Sequence, residues 1–120
     1  MINYSLSETG IFHVTFSGNV SVEDIKKYLQ EFEKLLNLPQ NLLALYDLRG
    51  ANLKLTHNDL IFLSELTSKV TASYKTVRTA FLVDKPDQTA YSIIFTEQLV
   101  PEKTARKVFS TESAALNWLK

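Results

Sequence analysis

The sequence predicts one α/β domain over residues 1–120: an N-terminal β-hairpin, then strand–helix repeats forming a mostly parallel five-stranded sheet flanked by helices. Three observations predict it. Two short segments of period-two hydrophobicity flank a glycine-bearing turn at the start of the chain. After them, apolar strand-length runs alternate with helix-length amphipathic segments, which implies parallel pairing through right-handed crossovers. Finally, 120 residues without internal repeat, linker or low-complexity run leave room for one core only. The predicted order is ββαβαβαβα.

Ile2-Asn3-Tyr4-Ser5-Leu6 places Ile2, Tyr4 and Leu6 on one face, and Ile11 to Phe16 repeats the pattern with Phe12, Val14 and Phe16. The Glu8-Thr9-Gly10 turn joins them as a hairpin. Gly18-Asn19 is expected to break the second strand. Ser21-Val22-Glu23-Asp24 has capping-box spacing and opens a helix whose apolar positions, Val22, Ile25, Tyr28, Leu29, Phe32, Leu35 and Leu36, carry it towards Pro39. Its Glu23/Lys27 and Lys27/Glu31 pairs form a solvated face.

Leu42 to Tyr46 is continuously apolar and reads as a strand buried on both sides, stopping at Asp47-Leu48-Arg49-Gly50. Thr56-His57-Asn58-Asp59 is a second capping box, opening a helix to about Ser73 with Leu63, Leu66, Val70 and Tyr74 on one face and Ile61 pointing away. Val77 to Val83 is the fourth strand, stopped at Asp84-Lys85-Pro86. A third helix spans about Asp87 to Leu99. Ala105 to Phe109 is a short fifth strand, and Ser110 or Thr111 caps a last helix with Ala114, Ala115, Trp118 and Leu119 together.

Composition narrows the function. Thirteen basic residues balance thirteen acidic ones, so the chain lacks the surplus cations that gripping nucleic acid or an anionic membrane requires. No apolar run approaches the ~20 residues of a spanning helix. Cysteine is absent, which removes disulfides, thiolate nucleophiles and cysteine-ligated metal, and fits a cytoplasmic protein. Met1 to Leu6 has no basic segment ahead of an apolar run, so no secretory signal is expected there.

The chemistry is sparse. His13 and His57 are the only histidines, with no metal-ligand spacing between them or to a carboxylate, so no metal site is predicted. Isolated glycines build neither a phosphate loop nor a dinucleotide fingerprint, and no nucleophile elbow occurs. No cofactor and no catalytic residue are assigned. Asp47 and Asp84 both end predicted parallel strands, where open α/β sheets bind ligands. With Arg49 and Lys85 they form a candidate rim for a ligand or partner, against the simpler reading that aspartates at strand ends bond their own turns. The third helix is apolar around more than half its circumference, with Ala90, Tyr91, Ile93, Ile94 and Phe95. Tyr91, Ile93, Ile94 and Phe95 are therefore the candidate apolar interface or pocket helix, covered by a second copy of the chain in a homodimer, by an apolar ligand, or simply by the fourth helix.

The elements so placed resemble the SpoIIAA-like proteins, a bacterial group related to STAS domains and to CRAL-TRIO lipid-binding domains. The resemblance rests on Phe16-Ser17-Gly18 with Val22 to Ile25, Tyr46-Asp47-Leu48-Arg49-Gly50, Thr56-His57-Asn58-Asp59-Leu60, Ala80-Phe81-Leu82-Val83-Asp84, and Val108-Phe109-Ser110 with Ala114 to Leu119. It implies a SpoIIAA-like, STAS-like fold and a non-enzymatic binding or regulatory module acting through protein contacts. The alternative it offers is a carrier or sensor of a small hydrophobic or lipid ligand, a fold-level analogy without a matching residue motif. STAS antagonists carry a phosphorylated serine ahead of the second helix. Here that stretch is Leu55-Thr56-His57-Asn58-Asp59, with no serine, so the phospho-switch is not carried over.

Overall fold

A computed structural model describes residues 1–120. It contains β1 (Ile2–Leu6), β2 (Ile11–Ser21), α1 (Val22–Glu33), β3 (Asn41–Lys54), α2 (His57–Val70), β4 (Thr76–Leu82), α3 (Pro86–Thr96), β5 (Thr104–Phe109) and α4 (Glu112–Leu119). The five strands lie in sequence order, β1-β2-β3-β4-β5. Only β1 and β2 pair antiparallel; the remaining three ladders are parallel. Element order and sheet type are those the hydrophobic periodicity predicts.

Strand alternation divides the interior into two layers. Phe12, Val14 and Phe16 of β2, Leu42, Ala44 and Leu48 of β3, and Val77 and Phe81 of β4 share one core with Tyr28, Leu29 and Phe32 of α1 and Leu63 and Val70 of α2. The opposite face is smaller: Ile11, Leu45, Ala80 and Leu82 meet Ala115 and Leu119 of α4. Both predicted capping boxes form. Ser21 Oγ accepts from the Asp24 N–H at 3.3 Å and Thr56 Oγ1 from the Asp59 N–H at 3.1 Å, while each aspartate accepts from its cap residue's N–H.

Several boundaries differ from the sequence reading, each for a local reason. Strand β2 does not break at Gly18-Asn19; Gly18 adopts φ 68°, open to glycine at little cost, and pairing continues to Ser21. Strand β3 does not stop at Asp47–Gly50 but runs on to Lys54 through a bulge. Thr15 faces Asp47 and Ser17 faces Gly50, so β3 takes three steps where β2 takes two. The bulge switches the inward residues of β3 from even positions (Leu42, Ala44, Leu48) to odd ones (Ala51, Leu53). Helix α1 ends at Glu33 rather than continuing towards Pro39; Asn37 takes φ 68°, Leu35 still packs on the core and Leu36 is 82% exposed. Helices α2 and α3 each end about one turn early, at Val70 and Thr96. On α2, Ile61 is half-buried and its neighbour Phe62 is the exposed apolar residue.

Candidate functional site

The three-helix face is not filled. Between the sheet and α1–α3 lies a partly open cleft of about 80 Å³, lined by 17 residues of which 13 are hydrophobic. Strands β2 and β3 contribute Phe16, Tyr46, Leu48 and Leu53; α1 gives Ile25, Tyr28 and Leu29; α2 gives Leu60 and Leu63; α3 gives Tyr91 and Phe95. Leu55 and Phe81 complete the apolar wall, and the four remaining liners, Thr67, Thr79, Ser92 and Arg106, bring polar groups to it.

Arg106 is on β5, opposite Thr79 of β4, and its alternation with Thr104 and Val108 turns it to the core side. Its Nη1 donates to Ser64 Oγ at 2.7 Å and to the Phe95 carbonyl at 3.2 Å, and its guanidinium carbon lies 4.2 Å from the centre of the Phe95 ring. Nη2 is buried without a partner. Burial pushes the guanidinium down to about 10, which leaves it a cation at neutral pH. Beside it, the Tyr28 and Tyr46 hydroxyls lie 2.8 Å apart. Desolvation pushes the Tyr46 phenol up to about 12 and that of Tyr28 further still, so both stay neutral.

Helix α3 presents its residues in an order the sequence does not suggest. Its buried side chains are the polar Gln88 and Ser92. Tyr91 and Phe95 are half-buried and line the cleft, Ile94 is half-buried outside its lining, Ala90 is exposed and Ile93 is 43% exposed. Gln88 has a definite task. Strand β4 ends opposite Asp47, so the β4-facing edge of β3 beyond that point has no strand neighbour. Gln88 Nε2 donates to the carbonyls of Arg49 (3.3 Å) and Ala51 (2.9 Å), and its Oε1 accepts from the Asp84 N–H at 3.1 Å.

The four rim residues do converge there. Asp47 accepts from the Arg49 backbone N–H, Nε and Nη2 at 2.9–3.1 Å, and this pair shapes the bulge. The Arg49 guanidinium holds the Asp47 carboxyl below the usual carboxylate range. Lys85 Nζ donates to the Arg49 carbonyl at 2.7 Å and lies 3.7 Å from the Asp84 carboxylate, both side chains half exposed. No group of three or more His, Cys, Asp or Glu side chains is arranged to hold a metal ion, and no helix is long and apolar enough to cross a membrane.

The SpoIIAA-like family model matches residues 11–120, every element except β1. The chain belongs to the SpoIIAA-like family. Two solved structures share this SpoIIAA-like fold. One is an uncharacterised protein from Shewanella loihica, at 21% identity and TM-score 0.62, covering all of this chain and 93% of that one. The other is the anti-sigma factor antagonist SpoIIAA in its unphosphorylated form, at 8% identity and TM-score 0.62, covering 98% and 96% of the two chains. No curated protein matches in sequence. In this SpoIIAA-like chain, Thr56 is committed to capping α2.

Gln88 and Arg106, the two polar side chains most closely built into this region, are not among the residues singled out from sequence. For Arg106 a signal exists, since strand alternation with Val108 sets it on the core side. For Gln88 there is none, because its partners on β3 lie 37 and 39 residues away.

Proposed function

We propose that this domain is a non-enzymatic binding module whose cleft between the sheet and α1–α3 holds a small apolar molecule. The observation that carries this reading is the cleft itself: about 80 Å³ of space walled mainly by apolar side chains, in an interior class that normally packs to crystal density. Such a gap forfeits dispersion contacts that an occupant would restore. It is smaller than the ~150 Å³ cavity that admits benzene. The occupant is therefore slender, or α3 moves outward to admit it. The part of helix α3 beyond its first turn suits that movement: Gln88 pins the first turn to β3, whereas Tyr91 and Phe95 beyond it are only half-buried.

Hexan-1-ol is a direct probe. It is expected to raise the thermal midpoint of the wild-type protein and to leave unchanged that of Leu55→Trp, which adds bulk at a half-buried position of the cleft wall. An unchanged wild-type midpoint across the alcohol's solubility range would remove the reading.

A second reading is favoured by the fold shared with an anti-sigma factor antagonist: a regulatory module acting through protein contacts, with another protein or a second copy seated over α3 and the rim of Asp47, Arg49, Asp84 and Lys85. The exposed Ile93 supports it. Light scattering is then expected to show a dimer that Ile93→Asp dissociates; a monomer at high concentration argues against the second copy.

A further inference from the structure

We propose that the cleft selects a small carboxylate with an apolar body, and that Arg106 is the residue that binds its head group. The inference rests on the apolar-ligand reading above and narrows it to one chemical class.

The argument begins with an imbalance. A guanidinium taken out of water is normally paired with a carboxylate, because desolvation of an unpaired charge is costly. The ion pairs of this fold are Arg49–Asp47 and Lys85–Asp84, both at the rim, so no acidic side chain reaches Arg106. What Arg106 has instead is neutral: one hydroxyl, one carbonyl and one aromatic face. These satisfy Nη1 and leave Nη2 without an acceptor. The nearby phenols cannot supply the missing charge, since Tyr46 keeps its proton to about pH 12.

The imbalance belongs to a residue on the wall of the cleft. Arg106 lines the cleft, with Thr79 beside it across the β4–β5 ladder and Ser92 on α3. The rest of the lining is mainly apolar. A planar carboxylate matches the fork of donors an arginine offers, and charge-assisted bonds of this kind are the strong ones. A neutral apolar molecule would fill the same space and leave the guanidinium as it is. The complementary ligand is an amphiphile of low molecular weight: an anionic, two-oxygen head at Arg106 and a hydrocarbon or aryl body against residues such as Phe81 and Leu63.

The ligand pair hexanoate and hexan-1-ol tests this, because the two differ in the head group alone. Affinities measured by titration calorimetry at neutral pH are expected to favour hexanoate at least tenfold in the wild type. Arg106→Met, which keeps an unbranched apolar side chain, is expected to bring hexanoate down to the level of hexan-1-ol while retaining the alcohol. Arg106→Lys, which keeps a cation but not the fork, is expected to fall between them. Equal affinity for both ligands in the wild type overturns the head-group assignment and leaves the apolar cleft standing. Binding of neither overturns both readings. Because the wild-type comparison needs no substitution, the proposal stays falsifiable if Arg106→Met does not fold.

Discussion

The two faces of the sheet are built from different materials. On the α4 face a small set of aliphatic and alanine side chains forms the core, with one aromatic contact, Phe109 on Trp118, and the Arg78 guanidinium stacked 4.4 Å from the Trp118 ring. On the three-helix face a relay of rings, Tyr4, Phe12, Phe32, Tyr28, Tyr46, Phe81 and Phe95, runs across the sheet with centroids 5.5–6.4 Å apart. The cleft lies beside this relay, with Tyr28, Tyr46, Phe81 and Phe95 in its wall. The α4 face is therefore a seal. The aromatic face combines stability with a space able to receive something.

The largest expected difference between the faces comes from truncating each core. Phe12 is 2% exposed and touches the rings of Tyr4 and Phe32, so Phe12→Ala is expected to cost about 3–5 kcal/mol of global stability in urea unfolding. Leu119, 1% exposed, closes the opposite face from the last turn of α4. Leu119→Ala is expected near the low end of the usual range, about 2 kcal/mol, because α4 packs on the smaller of the two cores and can loosen without the sheet. Amide exchange would check the distinction: Leu119→Ala releases α4 amides and spares β3 and β4. Loss of protection throughout the sheet would show that both faces fold as one indivisible unit.

A smaller effect is expected where the cleft-side helix is pinned to the sheet. Gln88→Ala removes two donors from β3 carbonyls and one acceptor from the Asp84 N–H, in a site with no exposure to water. Leaving such groups unpaired is expected to cost about 2–3 kcal/mol. Denaturation would give the magnitude, and accelerated exchange of the Asp84 amide would locate it. An unchanged midpoint would mean that α3 is held by its apolar side chains alone, and the contrast between a pinned and a sealed face would fail.

What the sequence discloses of this arrangement follows the range of the forces involved. The capping boxes at Ser21/Asp24 and Thr56/Asp59 are legible because all their atoms lie within four residues. The central strands are legible because burial on both sides leaves continuous apolar runs at Leu42–Tyr46 and Val77–Val83. The far half of β3 is hidden because the bulge at Asp47–Arg49 inverts its alternation, so a strand looks like a stop. The end of α1 is hidden because Leu35 and Leu36 keep helical spacing after the chain has left the helix. At the site, Tyr91 and Phe95 stand out from apolar periodicity alone. Gln88 does not, since its role is set by an unpaired strand edge far away in sequence.

The most modest effect is expected at the Tyr28–Tyr46 hydroxyl pair, which also gives the aromatic face a signature the α4 face lacks. Tyr46→Phe removes one half-buried hydrogen bond and is expected to cost about 1 kcal/mol at neutral pH. The pH dependence carries more information. An unfolded tyrosine loses its proton near pH 10, whereas desolvation holds Tyr46 to about 12 in the folded protein. Between those values the native state binds more protons than the unfolded chain, so stability falls as pH rises through the window. Below pH 10 both states are protonated and the contribution is constant. Tyr46→Phe is therefore expected to flatten the decline between pH 10 and 12 in denaturation midpoints, and to remove a late-titrating phenol from the ultraviolet titration curve. A wild-type protein whose five tyrosines all ionise near pH 10 while it remains folded would place Tyr46 in contact with water, and the relay of rings would lose its dry centre.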